Sequence, residues 1–275
     1  MNIKKRAKQV STFDFSTLYT KIPHNKLIEI LTNTVEFCFK GCTRSFIDID
    51  NNGKAHWRTT KGKHIYSFSK DLIIHSIKYV IQHCYFQIGT TIFLQTIGVP
   101  MGGDPAPFWE NLFLFYYEHG WLKEMKKSNN ILARKFGNTF RFIDDLLAIN
   151  DGGEFEKYHK DIYPEELILK KENTVNTKCS FLDLDIEINN RVITTKLYDK
   201  RDSYNFSIVK LPYKISNIPV KMFLSSVGAE ILRIARVTSS LETLQLSVMI
   251  MITKHWVYYV KYNHTKKNLL SILFN

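Results

Sequence analysis

Cysteine is scarce in this chain, with four in 275 residues, and the four are scattered. Cys38 and Cys42 are close in sequence, but Cys84 and Cys179 lie far off, so half of a zinc signature is missing. Unclustered thiols without a secretory leader exclude a disulfide scaffold and place the expected location inside the cell, in nucleus or cytoplasm. The basic N-terminus is not followed by an apolar stretch, so no signal peptide is expected. The apolar residues 244–260 are interrupted by Lys254 and His255, too soon to span a bilayer, and no membrane anchor is expected. Repeats, low-complexity tracts and long Gly/Ser linkers are also missing. Asp48, Asp50, Asn52 and Gly53 begin like a calcium loop, yet Thr59 stands where a bidentate Glu is required.

Positive charge and aromatic side chains are plentiful. Thirty-eight Lys and Arg against 26 Asp and Glu give a formal net charge of +12, which suits a polyanionic partner. A hydrophobic content of 44% argues that this is an ordered core and not a basic tail. The basic residues are spread along the chain, a scatter that fits contact with a nucleic-acid backbone better than base readout.

Two adjacent carboxylates, Asp144 and Asp145, stand inside an apolar run of Phe140, Phe142, Ile143, Leu146, Leu147 and Ile149. The pattern predicts two short buried strands joined by a tight turn with both acids at its tip. Like charges there repel and lose hydration, and a divalent cation with a taste for hard oxygen relieves both penalties. Asp14, between Phe13 and Phe15, is expected at the end of a further strand. Three acids from two strand ends could hold two metals roughly 3.5–4 Å apart, an arrangement suited to phosphoryl transfer. A third segment, from Gln95 through Gly98, Pro100, Met101, Gly102 and Gly103 to Pro107, is a loop of unusual backbone angles. It opens onto a helix on which Phe108, Leu112, Phe115 and Tyr116 recur at the spacing of a buried face.

In this order, Asp-Phe-Ser-x-Leu-Tyr-Thr-x-Ile-Pro, Gly-x-Pro-Met-Gly-x-x-x-Ala-Pro and Phe-Ile-Asp-Asp resemble palm motifs A, B and C of reverse transcriptases. The wording is most similar to that of Penelope-like retroelement enzymes, relatives of telomerase, over residues 10–237. The resemblance implies an α+β fold: a right-hand polymerase palm whose antiparallel sheet carries helices on one face, with partial fingers and a thumb-like helical end. Residues 1–205 would be the palm with partial fingers, and 206–275 the thumb-like segment, without clear family pattern after 237. The implied activity is RNA-directed DNA synthesis by a retrotransposon enzyme, using an RNA template, a DNA primer and deoxynucleoside triphosphates. Asp14, Asp144 and Asp145 would be catalytic ligands of two Mg²⁺, or of Mn²⁺, with the Phe15 carbonyl as an extra oxygen. Tyr19 would lie under the incoming sugar and clash with a 2′-hydroxyl, while Gly98, Met101 and Gly102 would wall the nucleotide. Lys170 or Lys171 would approach the phosphates, Phe181 and Leu182 would grip the primer end, and Arg233 and Arg236 would meet the nucleic-acid backbone.

Departures from the pattern set a competing expectation. Only thirteen residues precede Asp14, so upstream finger strands are expected to be missing, and no GIY-YIG-type nuclease follows. Trp109 and Glu110 put a bulky and an acidic residue where small residues commonly pack. The alternative is a truncated, inactive relic that only binds nucleic acid. Elsewhere, periodicity predicts helices over 26–39 and 70–84, with Ile28, Leu31 and Val35, then Ile73, Ile77 and Ile81, facing inward. It also predicts a hairpin around Asn52-Gly53, a short helix over 155–163, a strand over 181–188 and a helix over 222–237. On that strand Asp183, Asp185 and Glu187 would share one solvated face. The last helix would turn Leu224, Val227, Ile231 and Ile234 inward.

Overall fold

A computed structural model of the chain describes residues 6–62, 66–99, 103–206, 208, 217 and 219–256. In chain order the first elements are β1 (Val10–Phe15), α1 (Leu18–Lys21), α2 (His24–Phe39), β2 (Phe46–Ile49), β3 (Ala55–Arg58) and β4 (Tyr66–Ser69). Next come α3 (Lys70–Gln82), β5 (Tyr85–Ile88), β6 (Thr91–Leu94), α4 (Ala106–Ser128) and α5 (Asn130–Lys135). The central hairpin is β7 (Thr139–Phe142) and β8 (Asp145–Ile149), followed by α6 (Glu154–Ile162) and β9 (Leu169–Lys171). Last are β10 (Lys178–Phe181), β11 (Leu184–Asn189), β12 (Val192–Leu197), α7 (Val220–Val237) and α8 (Leu241–Trp256).

These elements form two compact bodies. One comprises residues 13–146 and 151–171; the other comprises the described parts of 1–12, 147–150 and 172–275. In the first, β2 pairs with both β3 and β4, and β5 pairs with β6. Asp50 accepts the Asn52 and Lys54 amides, so this acid closes the β2–β3 turn, with Gly53 in the left-handed region. Helix α2 buries Leu27, Ile30 and Leu31, a face rotated slightly from the expected one, and α3 buries only Ile81 fully. Asn129 caps α5 by accepting the Leu132 amide. In the second body, β10, β11 and β12 form an antiparallel meander. Its core joins Ala7, Val10, Leu147, Ile149, Cys179, Ile186 and Ile188, and Val227 and Ile234 of α7 pack with Val248 and Met251 of α8. Leu224 lies among the side chains outside this description.

The four-stranded sheet, which carries Asp14 and Asp145, has the strand order β7-β8-β1-β9. Four residues of β1 in succession, Val10 to Phe13, are buried, and Asp14 is the one accessible position before buried Phe15. Three expectations fail here. Phe140 and Phe142 are exposed, because Arg141 turns inward to a carboxylate and alternation sends its neighbours to the other face. Phe108, Phe115 and Tyr116 are also exposed; α4 buries Ala106, Trp109, Glu110, Phe113 and Leu114 instead. Residues 181–188 are not one strand. The chain reverses at Leu182-Asp183, which takes Asp183 off the face shared by Asp185 and Glu187.

Candidate active site

The β7–β8 hairpin turns through Ile143 and Asp144, and Ile143 holds φ 55°, a strained conformation for a β-branched residue. Arg141 holds the turn down. Its guanidinium donates to the Ile143 carbonyl (3.1 Å), to Asn111 Oδ1 (2.7 Å) and to both oxygens of Glu118 (2.6 and 3.2 Å). Tyr163 also donates to Glu118, at 2.8 Å. Burial, then the Glu118 charge, holds the Tyr163 hydroxyl well above the ordinary phenol range. Asn111 and Glu118 sit on α4, so one long helix supports the tip. Neither was expected from the sequence; the signal was a charged residue between two phenylalanines at the period of a strand.

The turn meets the end of β1. The Phe15 amide donates to the Asp144 carbonyl at 3.4 Å, which joins the strand end carrying Asp14 to the turn carrying Asp144. Asp145 is the first residue of β8. All three acids are partly accessible. Among the described residues, no three His, Cys, Asp or Glu side chains group closely enough to hold a metal ion. The donor chemistry of hard, partly accessible carboxylates at adjoining strand ends nevertheless fits a divalent cation.

The register separates the two candidate lysines. Lys170 stands directly opposite Asp14 in the antiparallel β1–β9 pair, and directly paired residues share a face. Lys171 stands opposite Phe13, and its ammonium is engaged with Glu156 at 2.7 Å.

Tyr19 is clamped by the loop after β6. The Val99 amide donates to the Tyr19 carbonyl at 2.7 Å, the Gly98 amide to the Ile22 carbonyl at 2.8 Å, and a His24 ring nitrogen meets the Gly98 carbonyl. Gly98 has φ +86°, and a Cβ there would sit 2.3 Å from the Tyr19 carbonyl oxygen, so only glycine fits. Met101 and Gly102 lie outside the described residues. Facing Tyr19 from α4 is Glu110, fully buried. Burial chiefly, and the Asp144 charge, push its carboxyl up to about 7, against the opposing effects of Tyr19 and Arg141. Tyr19 in turn is raised to about 12, by burial first and then by Glu110 and Asp144. Neither Glu110 oxygen completes a hydrogen bond.

The other body carries the remaining candidates. Phe181 packs partly against the meander core, and Leu182 is exposed at the β10–β11 turn with φ 53°. Arg233, expected to face a nucleic-acid backbone, is instead committed to Asp183 (2.9 and 3.1 Å) and to Glu230 (3.3 Å). Those carboxylates raise its pKa. Arg236 is exposed on the same helix.

Among solved structures, telomerase from Candida albicans, in complex with a fragment of telomeric RNA, superposes with a TM-score of 0.55 over 93% of this chain, at 13% identity. The fold is reverse transcriptase-like. Apo telomerase from Candida tropicalis gives a TM-score of 0.47 at 16% identity over 97% of this chain. The chain spans about 40% of the length of the Candida albicans telomerase chain. No protein-family model matches it, and no curated protein matches it. Among the described residues, no helix is long and apolar enough to cross a membrane.

Proposed function

We propose that the chain is an RNA-directed DNA polymerase of a retroelement, Penelope-like in its motifs, extending a DNA primer on an RNA template. The observation that carries this reading is the joining of the strand end that carries Asp14 to the turn that carries Asp144, through the Phe15 amide and the Asp144 carbonyl. In support, the superposable Candida albicans telomerase was solved with RNA, and a net charge of +12 suits a polyanion. Asp14 and Asp144, with Asp145 and the Phe15 carbonyl, would hold two Mg²⁺. Bound there, the ions would supply Lewis acidity toward a primer 3′-hydroxyl and the oxygens of a leaving pyrophosphate.

The chain's own groups do the rest. Tyr19, its backbone fixed by Val99, blocks the 2′-position of the incoming sugar and so selects deoxynucleotides. Lys170, across from Asp14, donates the proton that the pyrophosphate takes up on leaving. Arg141 holds the turn in its strained conformation, so that Asp144 is presented before substrate arrives. Gly98 lets the loop approach the Tyr19 main chain closely.

One observation favours a second reading, the inactive relic that only binds nucleic acid: the acids do not group into a ready-made metal cluster. Primer extension on poly(rA)/oligo(dT) with Mg²⁺ decides. The polymerase reading expects extension that disappears in the Asp144→Asn, Asp145→Asn double variant. A chain that extends nothing, yet retards the duplex in a salt-sensitive way, is the relic.

A further inference from the structure

Folded interiors pack closely, and their buried polar atoms find partners. One place in the first body departs from both rules at once. Between the β7–β8 hairpin and helices α4 and α6 lies a half-enclosed cavity of about 110 Å³. Its apolar walls are Trp121, Phe136, Leu146 and Phe155, with the Trp121 and Phe136 ring centres 4.6 Å apart. Glu118 and Thr139 line it as well. The Thr139 hydroxyl oxygen is buried and has no hydrogen-bond partner. The Glu118 carboxylate is nearly used up, but not wholly. Its Oε1 accepts from Arg141 and Tyr163, and its Oε2 accepts from Arg141 alone, so Oε2 keeps an open acceptor position.

We propose that this cavity is a binding site for a small hydroxylated aromatic ring, a molecule of the size and chemistry of phenol. Volume sets the size. An apolar cavity of about 150 Å³ takes benzene, so about 110 Å³ with an open side admits a single ring and nothing larger. The walls set the ring, because aromatic side chains favour a further ring in tilted or offset contact. The polar end sets the hydroxyl, which can donate to Glu118 Oε2 and accept from Thr139. A purely apolar ring would leave the Thr139 oxygen buried and unpaired, and an anionic one would meet the Glu118 charge. None of these residues is a candidate metal ligand, so the proposal stands apart from the polymerase reading. The site does share a residue with the turn: Glu118 also pairs with Arg141, which holds the Ile143 carbonyl.

The test is a ligand-observed NMR titration of the full chain with phenol and with toluene, which has the same shape but no hydroxyl. Phenol should bind the wild-type chain with a dissociation constant of about 0.1–1 mM, as the efficiency of so small a ligand allows. Toluene should bind about tenfold more weakly, for want of the hydrogen bonds. Thr139→Val keeps the shape of the side chain and should weaken phenol about fivefold while leaving toluene unchanged. Leu122→Trp, which fills the cavity from α4, should abolish the binding of both. No binding at about 10 mM phenol, or an equal affinity for toluene, overturns the proposal. So does phenol binding that neither variant alters. Should Leu122→Trp fail to fold, an unmoved phenol affinity in Thr139→Val overturns it alone.

Discussion

Two hairpin turns in this chain are built almost alike. Phe-Ile-Asp at 142–144 and Phe-Leu-Asp at 181–183 each place an aliphatic residue in the left-handed region, at φ 55° and 53°, just before an aspartate. Each also has an arginine in attendance. Arg233 pairs with the Asp183 carboxylate, whereas Arg141 reaches its turn through the backbone carbonyl of Ile143 and pairs its charge with Glu118. Asp183 is thereby ion-paired at the surface, while the charge of Asp144 bears on Tyr19 and Glu110. The local turn is therefore no guide to function. Where the arginine goes decides which carboxylate keeps its charge for other work.

The sharpest way to break the comparison is to neutralise each aspartate. The Asp144→Asn, Asp145→Asn double variant should lose at least about 10³-fold in primer extension, the scale of removing a principal electrostatic element. Asp183→Asn should stay within about twofold of wild type in the same assay. The arginines should differ in stability. Arg141→Ala strands the half-buried Glu118 and should cost about 3 kcal/mol in urea denaturation. Arg233→Ala removes a pair whose aspartate is largely exposed and should cost about 1 kcal/mol or less.

A smaller effect follows from Glu110. Its carboxyl titrates near 7 in the folded chain instead of at the ordinary 4.5, so the native state binds the proton more tightly than the unfolded chain does. The stabilisation from that proton is complete below about 4.5 and is lost as pH rises through about 7. Thermal unfolding from pH 4.5 to 8 should show wild type losing on the order of 2–3 kcal/mol relative to Glu110→Gln. Parallel curves would show that Glu110 is not held in its neutral form. The smallest effect should be shared by the two turns. Ile143→Gly and Leu182→Gly should each gain about 0.5–1 kcal/mol by relief of left-handed strain, read as a shift in the urea midpoint.

How much of this could be read beforehand follows from the range of the forces involved. The hairpins at Asn52-Gly53 and at Asp144, and helices α2, α3, α6 and α7, were legible because period and turn residues act locally. The exposed face of α4 was not. A helix with aromatics all around it offers no stripe, and burial was decided by what packs against Phe113 and Leu114. The reversal at Leu182 was hidden because neither Leu nor Asp announces a left-handed turn as glycine does. Lys170 and Lys171 could not be told apart until the β1–β9 register put one opposite Asp14 and left the other with Glu156. Arg141, Glu118 and Glu110 owe their importance to partners 23 to 91 positions away, a distance at which spacing carries no message. Arg233 showed the reverse: its helix was legible, but not the acid 50 positions back that takes its charge.

The contact between Gly98 and the Tyr19 carbonyl also bears on how this chain can change over generations. A side chain at position 98 would need a different backbone angle and a different path for residues 19 and 20 at the same time. No single substitution supplies both, so the two segments are expected to vary together or not at all. Tyr19 itself can be exchanged without disturbing that contact, because only its main chain is held there. The ring of Tyr19 can therefore vary while the frame beneath it stays locked.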